Sequence, residues 1–540
     1  MNLSKQQQQA VEDESNNICV IAGAGSGKTR TLCAKINHLV SLGVDPKSIC
    51  CITFTTSAAK TIRERTNKDI GFIGTLHSYM FSILVKNNNE LVLFPEEEVA
   101  NVLKKYAGKL NFKTKSTKKL LELRRNWWKV QDGHEFSRAE SQLAQQYSMH
   151  LRSMGCVDYD GILEYGLSFV REYLMCGEIK HLLVDEFQDS ADIDIAIYES
   201  LNVDSRFYVG DPRQAIYGFR GGNKENLNKY AKSDFSVHYL TDNYRSSEKI
   251  CSIANNIHKD EKPMNAFFEF DDNSVYICEM EDSTDELHFI TNFLLRPEWQ
   301  KDSAILCRTN FYAKKVKEYL KSRGINVQET KSLIDRSDFW KIDYLINLKS
   351  NPNSRTAAEL YLRRLHPNKP DGFYLEQLNS GIFNVNHSPD QPLSSFLSAN
   401  GLSMETIMLL NPIIESIDYI EDPKELSLAI KSAMTQVGKD EDAIYVGTIH
   451  SSKSMEWNNV FIPFCNEGIL PLASAPMEDE RNLMYVACTR AKHNIVFSWS
   501  KLIESPNPFS VDLQQGEISN FIKNEKIEKV SKIEHFHESL

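Results

Sequence analysis

The sequence lacks the C-x-x-C spacing of cysteines that is typical of metal-binding motifs. Its eleven cysteines are odd in number and scattered, and none of them stands in a C-x-x-C pattern. Zinc ribbons and iron–sulfur sites need closely spaced cysteines, and secreted disulfide scaffolds usually carry an even number of them. We therefore expect a protein of a reducing compartment that has neither kind of metal site.

Segments that target or cross a membrane are also missing. No apolar run approaches the roughly 18 residues that a membrane helix needs. The first residues, MNLSKQQQQAVEDE, are polar where a signal peptide has an apolar stretch. We expect a cytoplasmic protein without a membrane partner.

The chain has no excess of basic residues. It carries 62 Lys and Arg against 73 Asp and Glu, which gives a net charge of −11. A small basic nucleic-acid module would show the opposite balance. A large enzyme of this charge can still bind a polyanion, provided that its basic residues are concentrated along one track.

What the chain does have is the length and apolar content of a multidomain enzyme, with 540 residues of which 41% are hydrophobic. Short β-branched runs alternate with helical patterns, which predicts parallel sheets. Residues 87–180 and 331–435 have mainly helical patterns, so we predict an α/β fold of two sheet domains, each interrupted by an insertion. The strand candidates are Ile18–Ile21, Ile49–Phe54, His181–Val184, Phe207–Val209, Ser303–Cys307, Ile444–Val446, Val460–Pro463 and Ile495–Ser498.

A glycine-rich segment follows the first strand candidate and opens a helix, which is the context of a phosphate-binding loop. Backbone N–H groups of such a loop point at phosphate oxygens, and the helix N-terminus adds positive potential. Lys28 is placed to reach the β- and γ-phosphates, and the Thr29 hydroxyl to hold Mg²⁺. The loop residues are Ala22, Gly23, Ala24, Gly25, Ser26, Gly27, Lys28 and Thr29. Ala22 occupies the place where the general pattern has glycine.

Adjacent carboxylates end a second apolar strand in the segment LLVDEFQDS. Asp185 is suited to holding Mg²⁺, and Glu186 to orienting and deprotonating an attacking water. Hydrolysis of a nucleoside triphosphate also needs cations from outside the loop, because charge develops on the γ-phosphate. Arg245 in NYRSS and Arg490 in YVACTRAK are the candidates.

Together these motifs resemble those of superfamily 1A helicases of the UvrD/Rep/PcrA group. The resemblance covers most of the chain, from about Leu3 to Lys492. It implies two RecA-like parallel-sheet motor domains, use of ATP and Mg²⁺, and 3′→5′ travel on single-stranded DNA. The motifs are LSKQQQQAV, AGAGSGKTR, ITFTTSAAKTIRER, GTLHSYM, DYDGIL, VDEFQDS, VGDPRQAIYGFRGG, NYRSS, ILCRTN, VGTIHSSKSMEW and ERNLMYVACTRAK.

The same resemblance assigns further residues to the nucleotide site. It implies that Gln7 reads the adenine and that Arg30 and Tyr244 sandwich the adenine ring. Gln214 takes the γ-phosphate-sensing place, and Gln188 is implied to couple the ATP site to DNA. Glu456 is a further nucleotide-binding candidate.

A single-stranded DNA track is implied as well, reaching to junctions of single and double strands. Bases stack on exposed aromatic rings without sequence preference, worth roughly 1–3 kcal/mol per base. The candidates for DNA contact are Phe54, Thr55, His77, Tyr217, Phe219, Arg220, Thr448 and His450.

A basic cluster in the first insertion lies outside the motifs and admits two interpretations. It either grips the DNA backbone or is a solvated face whose tryptophans, Trp127 and Trp128, turn inward. The cluster comprises Lys104, Lys105, Lys109, Lys113, Lys115, Lys118, Lys119, Arg124, Arg125 and Lys129.

The chain departs from the family in one motif and in size. Ser454 replaces a family glycine in KSME, which leaves the conformation of that loop open. The second insertion is short for the family, which suggests dependence on a partner or a specialised role. Compact members include helicase-like subunits of anti-phage systems such as Gabija. We predict domain 1A at 1–85 and 181–235, 1B at 86–180, 2A at 236–330 and 436–505, a reduced 2B at 331–435, and a polar segment at 506–540.

Two functions remain open from the sequence. The first is a translocase that unwinds DNA. The second is a DNA-stimulated ATPase that senses DNA and regulates a partner effector such as a nuclease. A structural partner with a degenerate site is disfavoured, because the residues for hydrolysis are all present.

Overall fold

A computed structural model describes most of the chain. It leaves undescribed residues 1–2, 67–68, 88–90, 113–115, 174–178, 219–220, 224, 260–261, 270–273, 329–340, 343, 347, 350–353, 367–368, 370, 380–391, 401, 403–406, 408–442, 505–512, 524–527 and 531–540. Within the described part, no helix is both long and apolar enough to cross a membrane.

The strands alternate with helices along the chain, as the sequence predicts. They are β1 (Asn17–Ala22), β2 (Ile49–Ile52), β3 (Phe72–Gly74), β4 (Val92–Leu93), β5 (Cys156–Val157), β6 (His181–Val184), β7 (Ser205–Gly210), β8 (Ser236–Leu240), β9 (Asp242–Asn243), β10 (Asn265–Ala266), β11 (Ser274–Asp282), β12 (Ser303–Cys307), β13 (Tyr445–Thr448), β14 (Trp457–Ile462), β15 (Ala491–Glu504), β16 (Leu513–Gln515) and β17 (Glu528–Val530).

The helices fall into four groups, which belong to the two sheet domains and the two insertions. They are α1 (Lys5–Glu12), α2 (Lys28–Ser41), α3 (Thr56–Arg65), α4 (Leu76–Asn87), α5 (Glu96–Lys109), α6 (Thr117–Asn126), α7 (Arg138–Ser153), α8 (Tyr159–Tyr173), α9 (Asp192–Ser200), α10 (Glu225–Ala231), α11 (Glu248–Ile257), α12 (Ser283–Leu294), α13 (Pro297–Gln300), α14 (Asn310–Ser322), α15 (Arg355–Leu365), α16 (Asp371–Asn379), α17 (Leu393–Ala399) and α18 (Met477–Cys488).

Two parallel sheets form the cores of the sheet domains. The first has the order β3-β2-β6-β7-β1-β8, and the second has the order β13-β12-β14-β15-β11-β17 with β16 added antiparallel to β15. The central strands, such as β1, β2, β6 and β12, are apolar because helices cover both faces of a parallel sheet. The predicted α/β class with two parallel-sheet domains is confirmed.

In both sheets the loops that carry the motifs leave the carboxyl ends of the strands. β1 leads into the phosphate loop, β6 into Asp185 and β7 into Asp211, so one edge of the first sheet gathers all three. β12 and β13 end side by side in the second sheet, where Cys307 is paired with Thr448. Parallel sheets bind ligands at this edge.

Three details correct the predicted layout. β8 pairs with β1, so the first sheet extends past the boundary predicted at residue 235. β16 and β17 join the second sheet, although both lie in the segment predicted to be only polar. β4 and β5 pair within an insertion predicted to lack strands. Short, charged or edge strands carry little hydrophobic signal, which explains why the pattern misses them.

The described parts of the two insertions share one apolar core. Leu103, Leu120 and Leu143 of the first insertion cluster with Tyr361 and Phe396 of the second. Much of the predicted 2B range lies outside the described residues, so the predicted reduction of this subdomain remains a proposal.

Candidate nucleotide and DNA site

The phosphate loop is built by two glycines with left-handed backbone. Gly25 has φ 68° and Gly27, the N-cap of α2, has φ 81°. A Cβ on Gly25 would lie 2.7 Å from the Asn243 side chain, and one on Gly27 would lie 2.7 Å from Gln7 Nε2. Both positions therefore require glycine for conformation and for space. Lys28 and Thr29 open α2 and line the cleft.

Gln7 braces this loop. Its Nε2 donates to the Ser26 carbonyl at 2.9 Å, and its Oε1 accepts from the Ser4 backbone N–H at 3.1 Å. The side chain is 2% exposed, and Ser4 and Gln7 form the capping box of α1. The implied contact with adenine remains a prediction, whereas the contact with the loop backbone is a finding that the motif alone does not give.

The acidic pair stands where β6 ends. Asp185 is 4% exposed, and burial together with the adjacent Glu186 raises the pKa of Asp185 to about 7. Glu186 has φ 52°, which turns its carboxylate into the cleft. Although burial opposes ionisation, Lys28 and Lys453 hold the pKa of Glu186 below its usual range. The ionised Glu186 is therefore the better base of the two at neutral pH.

A glutamine joins the acidic pair to the next loop of the sheet. Gln188 Nε2 donates to Glu186 Oε2 at 2.6 Å, and Gln188 Oε1 accepts from the Asp211 N–H at 3.0 Å. Asp211 Oδ2 in turn accepts from Gln214 Nε2 at 2.9 Å. The structure thus brings the predicted coupling residues Gln188 and Gln214 into one hydrogen-bonded chain.

Tyr485 and Asp211 are site residues that the sequence reasoning missed. The Tyr485 hydroxyl donates to Asp211 Oδ2 at 3.1 Å and accepts from the Ala24 N–H of the phosphate loop at 3.4 Å. Although burial opposes ionisation, Arg213 lowers the pKa of Asp211 to about 2. Both residues lie inside motifs, yet nothing in their spacing indicates a partner more than 200 positions away.

The two predicted arginines line the same cleft from the second sheet domain. Arg245 Nε donates to Glu456 Oε2 at 2.6 Å, and Arg245 Nη1 donates to the Thr489 carbonyl at 3.2 Å. Arg490 is 2% exposed and is held by the Val486 and Met455 carbonyls at 3.1 Å each. Burial and the neighbouring Arg245 lower the pKa of Arg490.

Lys453 crosses from the second domain into the first. Its side chain is 4% exposed, and Nζ donates to Asp189 Oδ2 and, at 2.8 Å, to the Gln214 carbonyl. Nζ also lies 4.9 Å from the centre of the Tyr217 ring. Since Asp189 is 1% exposed, this is a buried ion pair that holds the two domains together.

The NYRSS motif lies directly on the phosphate loop. Asn243 Nδ2 donates to the Ala24 carbonyl at 2.8 Å, and the Tyr244 N–H donates to the Gly25 carbonyl at 2.9 Å. Arg30 and Tyr244 line the cleft, as their implied adenine sandwich requires. The Glu456 carboxylate is paired with Arg245 and Lys492, so its nucleotide contact stays a prediction.

Two predicted base-stacking residues from different motifs meet in the structure. The rings of Phe54 and Tyr217 stack with their centres 4.8 Å apart and their planes at 16°. Phe54 is 36% exposed, so part of this pair remains accessible to a ligand. Tyr217 also donates to the His450 carbonyl at 3.3 Å, which ties the stack to the VGTIHSSKSMEW motif.

The remaining DNA candidates are more dispersed. Thr55 caps α3, and Thr448 bonds Ser451 in the turn that follows β13. His77 packs edge-on against Tyr159, and burial lowers the pKa of His77 to about 4. Phe219 and Arg220 lie outside the described residues. No contact of these side chains with DNA is tested, so their roles stay predictions.

The basic cluster of the first insertion is smaller than predicted. Trp127 and Trp128 are buried, as the second interpretation expected. Arg124 is buried too, and its guanidinium bonds Asp158 at 2.6 and 2.9 Å and Glu164 at 2.8 Å. The pattern misassigned Arg124 because the pairing carboxylates stand more than 30 positions away. The cluster members that the structure leaves exposed are Lys104, Lys105, Lys109, Lys118 and Lys119; Lys113 and Lys115 lie outside the described residues.

The cleft that collects these side chains has a volume of about 700 Å³. A larger cavity of about 1420 Å³ lies at the opposite, amino-terminal edge of the first sheet, next to Lys47 and His181. It holds none of the predicted site residues. We therefore assign the site to the smaller cleft, because the predicted residues line that cleft and not the larger cavity.

Comparison with known proteins agrees with this geometry. Residues 3–235 match the UvrD/REP helicase N-terminal domain, and residues 238–380 and 397–502 match the UvrD-like helicase C-terminal domain. The chain belongs to the UvrD/Rep family of helicases. The first match ends at residue 235 and the second begins at residue 238. Most of β8 falls in the second match, yet β8 pairs with β1 and completes the first sheet.

Relatives within the UvrD/Rep family align along almost the whole chain. The ATP-dependent DNA helicase Rep of Buchnera aphidicola subsp. Schizaphis graminum is 26% identical over 96% of the chain and 97% of the relative. Rep of Escherichia coli K12 is 26% identical over 96% and 95%, and PcrA of Leuconostoc citreum is 25% identical over 91% and 80%.

Proposed function

We propose that the chain is an ATP-driven 3′→5′ translocase on single-stranded DNA that unwinds duplex DNA. One observation carries the proposal. Lys453 contacts both the ATP site, through Asp189 and the Gln214 carbonyl, and the base-stacking ring of Tyr217. When the distance between the two domains changes around the γ-phosphate, Lys453 can therefore transmit that change to the DNA-binding residues.

For hydrolysis, Lys28 and the loop N–H groups hold the phosphates while Glu186 accepts a proton from the attacking water. Gln188 fixes the orientation of the Glu186 carboxylate through its 2.6 Å bond. Arg245 and Arg490 approach from the other domain, where they balance the charge that develops on the γ-phosphate. The site is complete only when the two domains are closed.

Magnesium fits the residues present. Asp185 is 4% exposed and stands beside a second carboxylate, that of Glu186, and a divalent cation would stabilise both in ionised form. Asp185 and the Thr29 hydroxyl would hold the ion, which would neutralise charge on the phosphate oxygens there. The described residues contain no group of three or more His, Cys, Asp or Glu that could hold a metal ion. Mg²⁺ usually keeps several waters and binds through one or two carboxylates and the substrate phosphates.

On the DNA side, the accessible part of the Phe54–Tyr217 stack offers a platform for a base. Stacking reads no sequence, as a translocase requires. We expect it to work in the cytoplasm on single strands and on their junctions with duplex.

The test is ATP hydrolysis with and without single-stranded DNA. We expect strong stimulation by DNA, loss of hydrolysis in Lys28→Ala, and a fall of kcat in Arg490→Ala with little change in ATP binding. Hydrolysis that survives in Lys28→Ala would contradict the catalytic assignment. Equal losses of binding and turnover in Arg490→Ala would contradict its role in the transition state.

A second function has an observation of its own. The alignment with Buchnera Rep spans 651 positions, more than the 540 residues of the chain, so the relative contains segments that this chain lacks. This agrees with a reduced 2B subdomain and with a DNA-stimulated ATPase that regulates a partner effector, such as a nuclease in an anti-phage complex. Stimulated hydrolysis without unwinding of a 3′-tailed duplex by the isolated chain would favour this function.

A further inference from the structure

Three aromatic rings stand together beside the implied position of the adenine. The centre of the Phe267 ring lies 4.6 Å from that of Tyr244, and the centre of the Phe268 ring lies 6.3 Å from it. The rings of Phe267 and Phe268 meet edge to face at 5.1 Å. Nevertheless, Phe267 is 57% exposed and Phe268 is 49% exposed. Two adjacent phenylalanines left half in solvent indicate a surface that a ligand covers.

The backbone holds these rings in place. β9 and β10 pair in parallel, and the Phe267 N–H donates to the Asn243 carbonyl at 2.9 Å. Asn243 is itself bonded to the phosphate loop through the Ala24 carbonyl at 2.8 Å. Hydrogen bonds therefore link the segment that carries the aromatic rings to the phosphate loop.

Phe268 faces the nucleotide cleft, since it lines that cleft together with Arg30 and Tyr244. The Gln7 amide, the polar group implied to read the base, uses one N–H on the Ser26 carbonyl, and its oxygen accepts from the Ser4 N–H, so one N–H remains for the base. Flat apolar surface would add affinity to that polar contact, because aromatic contacts of this kind contribute beyond their buried area.

We propose that Phe267 and Phe268 form an aromatic shelf that positions the Tyr244 ring and covers the outer edge of the nucleotide base, which favours purines over pyrimidines. Phe267 packs against Tyr244, and Phe268 extends the surface into the cleft. A purine covers more of this shelf than a pyrimidine because it has two fused rings. The inference rests on the proposed use of ATP by this cleft.

The test is the affinity of the full chain for a non-hydrolysable ATP analogue and for the matching CTP analogue, measured by titration calorimetry. Phe268→Ala should weaken binding of the ATP analogue about 2- to 13-fold, the range expected for the loss of one aromatic contact. Binding of the CTP analogue should change less. Phe268→Trp should restore the affinity, and Phe267→Ala should behave like Phe268→Ala.

Phe311→Ala is the matched control, because Phe311 is 64% exposed on α14 and does not line the cleft. In hydrolysis assays with saturating DNA, Phe268→Ala should raise KM while kcat stays within about twofold of the parent. Unchanged affinity in Phe268→Ala, or equal losses for both analogues, would overturn the proposal. The binding measurement does not require hydrolysis. If the chain binds the analogue but does not hydrolyse ATP, the proposed function is contradicted, and the comparison of the two analogues still tests the aromatic shelf.

Discussion

Lys453→Met should separate ATP hydrolysis from its stimulation by DNA. The methionine keeps the length and packing of the side chain but removes the ammonium group, which bonds Asp189 and the Gln214 carbonyl. Hydrogen bonds to charged groups contribute about 1.5–3 kcal/mol each. Since the pair spans the two domains, this free energy belongs to closure, and the loss of even one of the two bonds predicts a fall of about 10- to 150-fold in the DNA-stimulated rate.

The assay is the steady-state rate of ATP hydrolysis at saturating ATP, with and without single-stranded DNA. The basal rate should fall less than the stimulated rate, because Lys453 does not bond Glu186 and lowers the pKa of Glu186 only through its nearby charge. Lys501→Met is the control, since Lys501 is a surface lysine paired with Glu279 and Glu281, and it should behave like the parent. Asp189→Asn should resemble Lys453→Met, and the double variant should lose little more than either. Full DNA stimulation in Lys453→Met would refute the reasoning.

Three further predictions follow from single residues. Tyr217→Ala should weaken single-stranded DNA binding by about 1–3 kcal/mol, the value of one stacked base, and a fluorescence titration that shows unchanged affinity would contradict it. Ser454 has φ 72°, a backbone conformation that costs a non-glycine residue roughly 1–2 kcal/mol. The Ser454→Gly variant should therefore keep its activity and should not have a lower free energy of unfolding in urea. A clear loss of activity or of stability would contradict this. Asp211, whose pKa is lowered to about 2, stabilises the fold above the pKa of about 3.9 that it has in the unfolded chain. The deficit in unfolding free energy of Asp211→Asn should therefore be full at pH 7 and shrink as pH falls from about 4 towards 2; a deficit that is constant with pH would contradict the ionic role.

The sequence predicts what depends on neighbours along the chain. The phosphate loop between β1 and α2 and the acidic pair after β6 need only a strand, a turn and a few adjacent side chains. His181–Val184 and Ser303–Cys307 are predicted with their observed bounds for the same reason, since both are short buried runs. The edge strand β8 is missed because most of its residues are only half-buried.

What the sequence does not predict is pairing across long separations. Lys453 and Asp189 are 264 positions apart, and each looks like an ordinary charged residue in its own motif. Phe54 and Tyr217 are both predicted as base-stacking residues, but their stack on one another follows only from the fold. The same applies to Arg124, which composition places on a basic surface and which Asp158 holds inside the protein.

Movement along DNA is the central claim, and displacement of streptavidin from biotinylated single strands tests it without requiring unwinding. With ATP, the chain should strip streptavidin from the 5′ end much faster than from the 3′ end, and Lys28→Ala should strip it from neither. ATP hydrolysis that is stimulated by DNA but displaces streptavidin from neither end would contradict a motor and leave a DNA-sensing ATPase.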